Sequence, residues 1–299
     1  MRGYQSDFLS DSHQVPLPDD IIKKGVVLEY LHYSVVMDLE RGFPLLTATN
    51  IDGSRFLSIP RNELFSGGGD KWKKDDRIER DHQWGMELYR APKSDFDRGH
   101  MTKREDVQWG VTLEEAAEAA RSTFYFTNAV PQHPRVNQSV WRSIEDYVLK
   151  SESVKGALKV SVFTGPVMNE NDPDFVTEIS GKKVQLPLLF WKIIYYINED
   201  EVLSRVAFLV GQKYLLEKEG MIRRRYQPKV KRLRFMNFKK ADTFQVEVPA
   251  VEELTEISFV KAHDPMTSEK PIKLVTEQVN VRGGNAEIRK GILIKGLKL

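Results

Sequence analysis

Three apolar runs open the chain: residues 26–31, 33–38 and 44–50. Turn signals at Arg41-Gly42 and Asp52-Gly53 punctuate them, so the pattern predicts an antiparallel meander. The alanine- and glutamate-rich run 112–121 reads as a helix, with Thr112 and Glu115 spaced as a capping box. The aromatic run 124–126 reads as a buried strand. Residues 138–149 continue at helical period behind Asn137, which stands at an N-cap-like position. Further strands are predicted over 158–164, 184–197 and 202–210, then a last strand at 244–248 and a short helix at 251–259. Sequential strands with short connections and few helices indicate the α+β class: an antiparallel or mixed sheet core flanked by helices, not a doubly wound sheet.

Against this framework one constellation carries chemistry. Asp97-Arg98-Gly99-His100 is followed, some forty residues on, by Asn137-Gln138, Trp141 and Glu145. His100 is a natural general base, because a neutral imidazole near pH 7 is available and basic enough to take a proton. Arg98 lies two positions away, on the same side of an extended segment, and its fork matches phosphate oxygens. Gly99 between them permits a tight backbone or a φ that other residues resist. Asn137, Trp141 and Glu145 are four apart and share a helix face, where the carboxylate leans back toward Asn137. Mg²⁺ takes hard oxygen ligands and keeps several waters, so an inner Asn137 carbonyl with Glu145 acting through a water would suit it.

The order DRGH, then N-x-x-P-Q-x(4)-N-Q-x-x-W-x-x-x-E, resembles the DNA/RNA non-specific endonuclease family, the endonuclease G-like ββα-metal nucleases. The similarity runs from about Pro16 to about Phe259. It implies a ββα-metal active-site motif, with His100 as general base and Asn137 as metal ligand. Glu145 would position metal-bound water, while Asp97 and Arg98 take outer-shell and phosphate-contacting roles. Asn128, Gln132 and Gln138 match positions that brace such a site. Mg²⁺, or Mn²⁺ in its place, is the implied cofactor, and DNA, RNA or both the implied substrate. Two departures stand out. Several relatives carry an arginine one turn after the glutamate, where this chain has Leu149. Relatives also place an arginine well upstream of DRGH, for which Arg61 and Arg77 are the candidates.

At 299 residues the chain can bury a sizeable core, and 40% hydrophobic with 29% charged residues is ordinary for a globular protein. A net charge of +2 implies that any basic surface is local. With no cysteine, disulfides, thiolate zinc sites and cysteine nucleophiles are excluded. Residues 1–15 are expected to form a loose lead-in, 16–263 the nuclease domain and 264–299 a tail with a Gly283-Gly284 hairpin. Neither a signal peptide nor a membrane-length apolar run is seen, so the expectation is a cytoplasmic protein without membrane partners, compatible with a homodimer and a regulatory partner. His13 and His32 read as surface or core packing, and His133 as a bystander. Residues 72–77 read equally as a solvated loop or a substrate contact.

The alternative class is a catalytically silent nucleic-acid-binding module, which would have no need of a base at His100. A partner-binding structural protein ranks below it, and a sequence-reading homing or restriction nuclease lacks any recognisable base-reading element. Protonation of His100 sets the expected pH dependence, with activity falling below about 6.5, where a free imidazole protonates.

Residues 221–234 contain seven basic residues and no acid. A solvated loop and a phosphate-binding strip are equally compatible with that composition. If Arg223, Arg224 and Arg225 grip phosphate, neutralising all three flattens the log–log salt dependence of duplex binding by roughly 0.9 per lost contact. Saturated turnover should barely change. An unchanged slope in salt-titrated binding assays would return the segment to a solvated loop.

Overall fold

The computed structural model describes every residue except 1, 138–139, 150–152, 154, 223–237, 239–240, 269 and 283–287; for 278–282 and 288–292 it describes the backbone only. Residues 138 and 223–225 therefore lie outside the described part, and with them the bracing expectation for Gln138 and the phosphate contacts expected of Arg223, Arg224 and Arg225.

After a one-turn helix α1 (Asp19–Ile22), the expected meander forms as β1 (Val26–Tyr30), β2 (Tyr33–Asp38) and β3 (Phe43–Asp52). The chain then leaves the sheet for about a hundred residues. On this excursion lie α2 (Met86–Tyr89), β4 (Asp97–His100), α3 (Leu113–Ser122), β5 (Ala129–Gln132), α4 (Pro134–Asn137) and α5 (Val140–Tyr147). It returns as β6 (Lys159–Pro166), which pairs with β3, and continues through β7 (Leu189–Ile197), β8 (Leu203–Gly211), α6 (Lys213–Lys218), β9 (Thr243–Val246), α7 (Val248–Thr255) and β10 (Ile272–Lys273). The eight sheet strands lie in the order β1-β2-β3-β6-β7-β8-β9-β10, each antiparallel to its neighbour. The last two strands, β11 (Val275–Arg282) and β12 (Ile288–Lys295), pair antiparallel as the expected hairpin requires, while Gly283 and Gly284 lie outside the described residues. This is the α+β architecture read from the sequence.

Both faces of the sheet are covered, which explains why β7 and β8 read as near-continuous apolar runs. On β7, Trp191, Ile193 and Tyr195 enter one core with Leu46, Phe163, Val251 and Phe259. Phe190 and Ile194 enter the other, with Trp141, Ile144 and Val148 from the α5 segment. Strand parity thus decides which residues face the helix of the chemical motif. Among the described residues, no helix is long and apolar enough to cross a membrane.

Local chemistry shifts several expected boundaries. Residues 124–126 form no ladder strand: Tyr125 makes a single bridge to Lys73, and a 3-10 turn spans Phe126–Asn128. The strand comes immediately afterward, at β5, despite Pro131. This proline is tolerated because β4 and β5 form a separate two-stranded ribbon. Pro187 delays β7 to Leu189, and Pro249 sits in the first turn of α7, which starts earlier than expected. The capping box of α3 is half as expected. Thr112 Oγ1 accepts from Glu115 N at 3.1 Å, but the Glu115 carboxylate reaches back to Val111 N at 2.7 Å instead of to Thr112. Asn137 is not the N-cap of α5; it ends α4.

Asn128 ties this excursion together. Its amide donates to the Thr102 and Thr123 carbonyls at 2.9 and 3.0 Å, and its Oδ1 accepts from Thr102 N at 2.8 Å. It thus joins the end of α3 to the exit of β4, in full burial. Asn128→Ala would orphan buried backbone groups and should lower stability by about 1–3 kcal/mol. Urea unfolding would read this as a lower midpoint at unchanged slope.

Candidate active site

The site is a ribbon followed by a helix. β4 and β5 pair with Asp97 opposite Gln132, Arg98 opposite Pro131, Gly99 opposite Val130 and His100 opposite Ala129. Gly99 is needed for space and not for an unusual φ. A Cβ there would lie 2.3 Å from Oε1 and Cδ of the buried Gln132. Asp97, Arg98, His100, Asn137 and Glu145 then meet on one open cleft of about 310 Å³.

Asn137 is oriented by its neighbour across the cleft. Its Nδ2 donates to Asp97 Oδ2 at 3.1 Å, an amide assignment fixed by this bond. The Asn137 Oδ1 carbonyl is left available to a cation. Asp97 therefore acts on Asn137 directly. The donors on this wall are all oxygens: one amide carbonyl and the Asp97 and Glu145 carboxylates. That set suits a hydrated hard cation and does not suit zinc or a soft metal. No group of three or more His, Asp and Glu with metal-ligand geometry occurs among the described residues. A site that relies on one amide and several waters needs none.

His100 is packed among rings. Trp72 lies 4.7 Å and Phe124 5.0 Å from it, centroid to centroid. Burial pushes its imidazole down to about 3; Arg61, Arg104 and Arg98 push the same way, while Asp70 opposes. The sequence expectation of protonation near 6.5 is thereby corrected: the aromatic floor and the arginines favour neutral imidazole well below that pH. Among the described residues, His100 Nε2, Trp72 Nε1 and Gln132 Nε2 are buried without hydrogen-bond partners.

Arg98 lies 5.5 Å over the Trp72 ring, with Nη1 3.8 Å from the Met86 sulfur. Neither contact neutralises it. Arg61 also reaches the cleft, in a two-pronged ion pair with Asp70. Arg77 does not: it is paired with Asp75 at 2.6 Å and lies 4.4 Å over Tyr30. Of the two upstream candidates, the structure therefore brings Arg61 to the site. At Leu149, where an arginine was noted as absent, the side chain is buried in the core. Two arginines that sequence reasoning passed over, Arg104 and Arg142, line the cleft. Arg142 stands one turn before Glu145, a spacing that could have flagged it.

The remaining expectations separate clearly. Asn128 and Gln132 are buried behind the cleft, as bracing positions would be. His133 is a structural residue, its Nε2 2.9 Å from Glu219. His32 is a core residue stacked on Trp109 at 3.5 Å. The 72–77 segment is a loop in which Lys73, Asp76 and Arg77 are exposed while Trp72 lines the cleft. Trp72 floors the cleft, Lys73 lies over Tyr125, and Lys74 pairs with Glu87. Behind Glu145 stands a charged group that the sequence reading missed: Lys192, Lys103 and Asp106. Lys192 Nζ is 3.4 Å from Glu145 Oε1, and Lys103 pairs with Asp146 and, at 3.1 Å, with Glu105. Burial raises Asp106 to about 7, Lys103 and Lys192 oppose, and Glu145 and Glu105 add to the rise. A lone lysine within an apolar strand was the available signal.

An antiparallel ribbon running into a helix, with histidine, asparagine and glutamate converging on one cleft, defines a ββα-metal nuclease fold. The chain belongs to the DNA/RNA non-specific endonuclease family, whose sequence profile matches residues 18–265. It is 32% identical over 233 residues to the uncharacterised protein y4fB of Sinorhizobium fredii, covering 71% of this chain and 33% of that protein. Against mitochondrial endonuclease G the identity is 29% for the Homo sapiens protein and 30% for the Bos taurus protein, each over 45% of both chains. The chain thus spans between a third and a half of the length of these relatives. A solved structure of the EndoG/EndoGI complex superposes with a TM-score of 0.54 at 19% identity, covering 80% of this chain and 89% of that one. At that identity the likeness is one of fold.

Gly99→Ala should cost about 1–3 kcal/mol through overpacking against Gln132. The loss should largely vanish in a Gln132→Ala background. Thermal unfolding of the two single variants and the double variant checks this, and additive losses would place the strain elsewhere.

Proposed function

We propose that the protein is a metal-dependent, sequence-tolerant endonuclease that hydrolyses phosphodiester bonds of DNA, RNA or both. The observation that carries this reading is the Asn137–Asp97 hydrogen bond, which leaves an amide carbonyl facing the cleft that His100 lines. A module that only bound nucleic acid would gain nothing from either feature. The cleft arginines Arg61, Arg98, Arg104 and Arg142 are assigned to phosphate oxygens, contacts that carry no sequence information, so limited sequence preference follows.

Asn137 would hold the metal through Oδ1, with Asp97 and Glu145 ordering its waters. Mg²⁺ is the cation this donor set suits, with Mn²⁺ a substitute, and when bound it would supply positive charge against the scissile phosphate. His100 carries the proton chemistry. Its Nε2 is the buried nitrogen, so Nδ1 is the one left to draw a proton from water at the cleft. Trp72 and Phe124 exclude solvent from the opposite side of the ring and keep the imidazole neutral. Arg98, 5.5 Å over the Trp72 ring, binds a phosphate oxygen and fixes the substrate for in-line attack. The solved EndoG/EndoGI complex concerns the mechanism of EndoG inhibition, a precedent for a regulatory protein partner here.

His100→Ala should lower plasmid cleavage by ~10²–10⁴-fold while nucleic-acid affinity and folding are retained. A folded pKa below the ordinary imidazole value means that protonation is resisted as pH falls. The acid limb of kcat/KM in Mg²⁺ should therefore lie below about 6.5. Wild-type cleavage by His100→Ala would remove the histidine from the mechanism. An acid limb at 6.5 or above would assign the titration to another group.

A further inference from the structure

Lys192 occupies an unusual place for a lysine. It lies mid-strand on β7, near the middle of an eight-stranded sheet, and its side chain is only 2% exposed. Neighbours of the same parity, Phe190 and Ile194, are core residues packed with the α5 segment. The ammonium donates to Thr164 Oγ1 at 2.8 Å, stands 5.4 Å over the Trp141 ring and lies 3.4 Å from Glu145 Oε1. Glu145 itself lines two spaces. One is the open cleft with His100 and Asn137; the other is a small inner cavity shared with Lys192 and Asp106. The carboxylate is therefore a wall between the two, with one oxygen turned to the lysine.

Burying an ammonium is costly unless it is paired, and a sheet position between Phe190 and Ile194 would ordinarily hold an aliphatic residue. Packing does not call for a lysine here. A carboxylate that must hold one rotamer under α5 does.

We infer that Lys192 is the positioning residue for Glu145: anchored by Thr164, it binds Oε1 from the sheet side and so presents the other carboxylate oxygen to the metal-binding cleft. This inference rests on the role given to Glu145 under the proposed function. Partners standing behind ligating groups typically change metal affinity by ~10–100-fold when removed.

The test measures Mn²⁺ binding to the full chain without nucleic acid, by the electron paramagnetic resonance of free Mn²⁺, alongside plasmid cleavage. Lys192→Met should weaken Mn²⁺ binding by ~10–100-fold, and Lys192→Arg should restore part of it. In a Glu145→Gln background the Lys192→Met substitution should add nothing, because the group it positions is already gone. Should Lys192→Met fail to fold, Thr164→Val decides. It keeps every charge and removes only the anchor, and it should weaken Mn²⁺ binding in the same direction by a smaller factor. Unchanged or tighter Mn²⁺ binding by the deciding variant, or an equal loss with and without Glu145, overturns the inference. If Glu145→Gln alone leaves Mn²⁺ binding and cleavage at wild-type level, the role of Glu145 falls first and the inference with it. Impairment by Glu145→Gln but not by the lysine variants overturns the inference alone.

Discussion

A carboxylate cannot be carried beneath a helix and against a sheet without a counter-charge, and the packing of α5 obeys that constraint. Glu145 and Asp106 enter the layer between α5 and the sheet, and Lys192 and Lys103 meet them there. Each lysine is itself tied down, Lys192 by Thr164 and Lys103 by Asp146 and Glu105. Burial tends to lower Lys103, but Glu145, Asp106 and Glu105 more than offset it and hold the ammonium charged. Removing Glu145 would take away the carboxylate that Lys192 faces, and a buried charge left without its partner costs far more than a lost exposed ion pair. The orientation of α5 over the sheet, and hence the aim of Glu145, depends on this balance.

The opposite wall of the cleft is held by a different means, close backbone approach and ring packing. Gly99 lets the ribbon pass against Gln132, and Trp72 fills the space between His100, Arg98 and Phe124. An apolar floor under a histidine with arginines at its rim has a chemical consequence, since both disfavour imidazolium. The two walls thus divide the work. One keeps a base neutral, while the other holds a carboxylate in place.

The treatment of arginines shows how a site can keep its charge while its positions move. Leu149 takes the place where several relatives carry an arginine and is buried among apolar neighbours. Arg61 comes from a loop far upstream and Arg142 from the first turns of α5, and both reach the same cleft. A phosphate site needs positive charge within a few ångströms, not at one sequence offset. Motif matching reads the offset alone, so it registers the loss at Leu149 and not the presence of Arg142.

The chemical motif was legible because its residues are local. Asp97 to His100 lie on one short strand, Asn137 ends α4 and Glu145 lies on α5 close behind it, so a few positions of spacing relate these side chains. The meander, the capped helix α3 and the terminal hairpin were legible for the same reason, since period and turn residues act over a few positions. What the sequence could not determine was set by long-range contact. Neither the close pass at Gly99 nor the choice of Arg61 over Arg77 has a local signature. Lys192 and Asp106, far apart in sequence, become neighbours only in the folded chain. The pKa of His100 follows from rings and charges on four separate segments. Burial and electrostatics depend on everything nearby in space, and only the tertiary structure decides what is nearby.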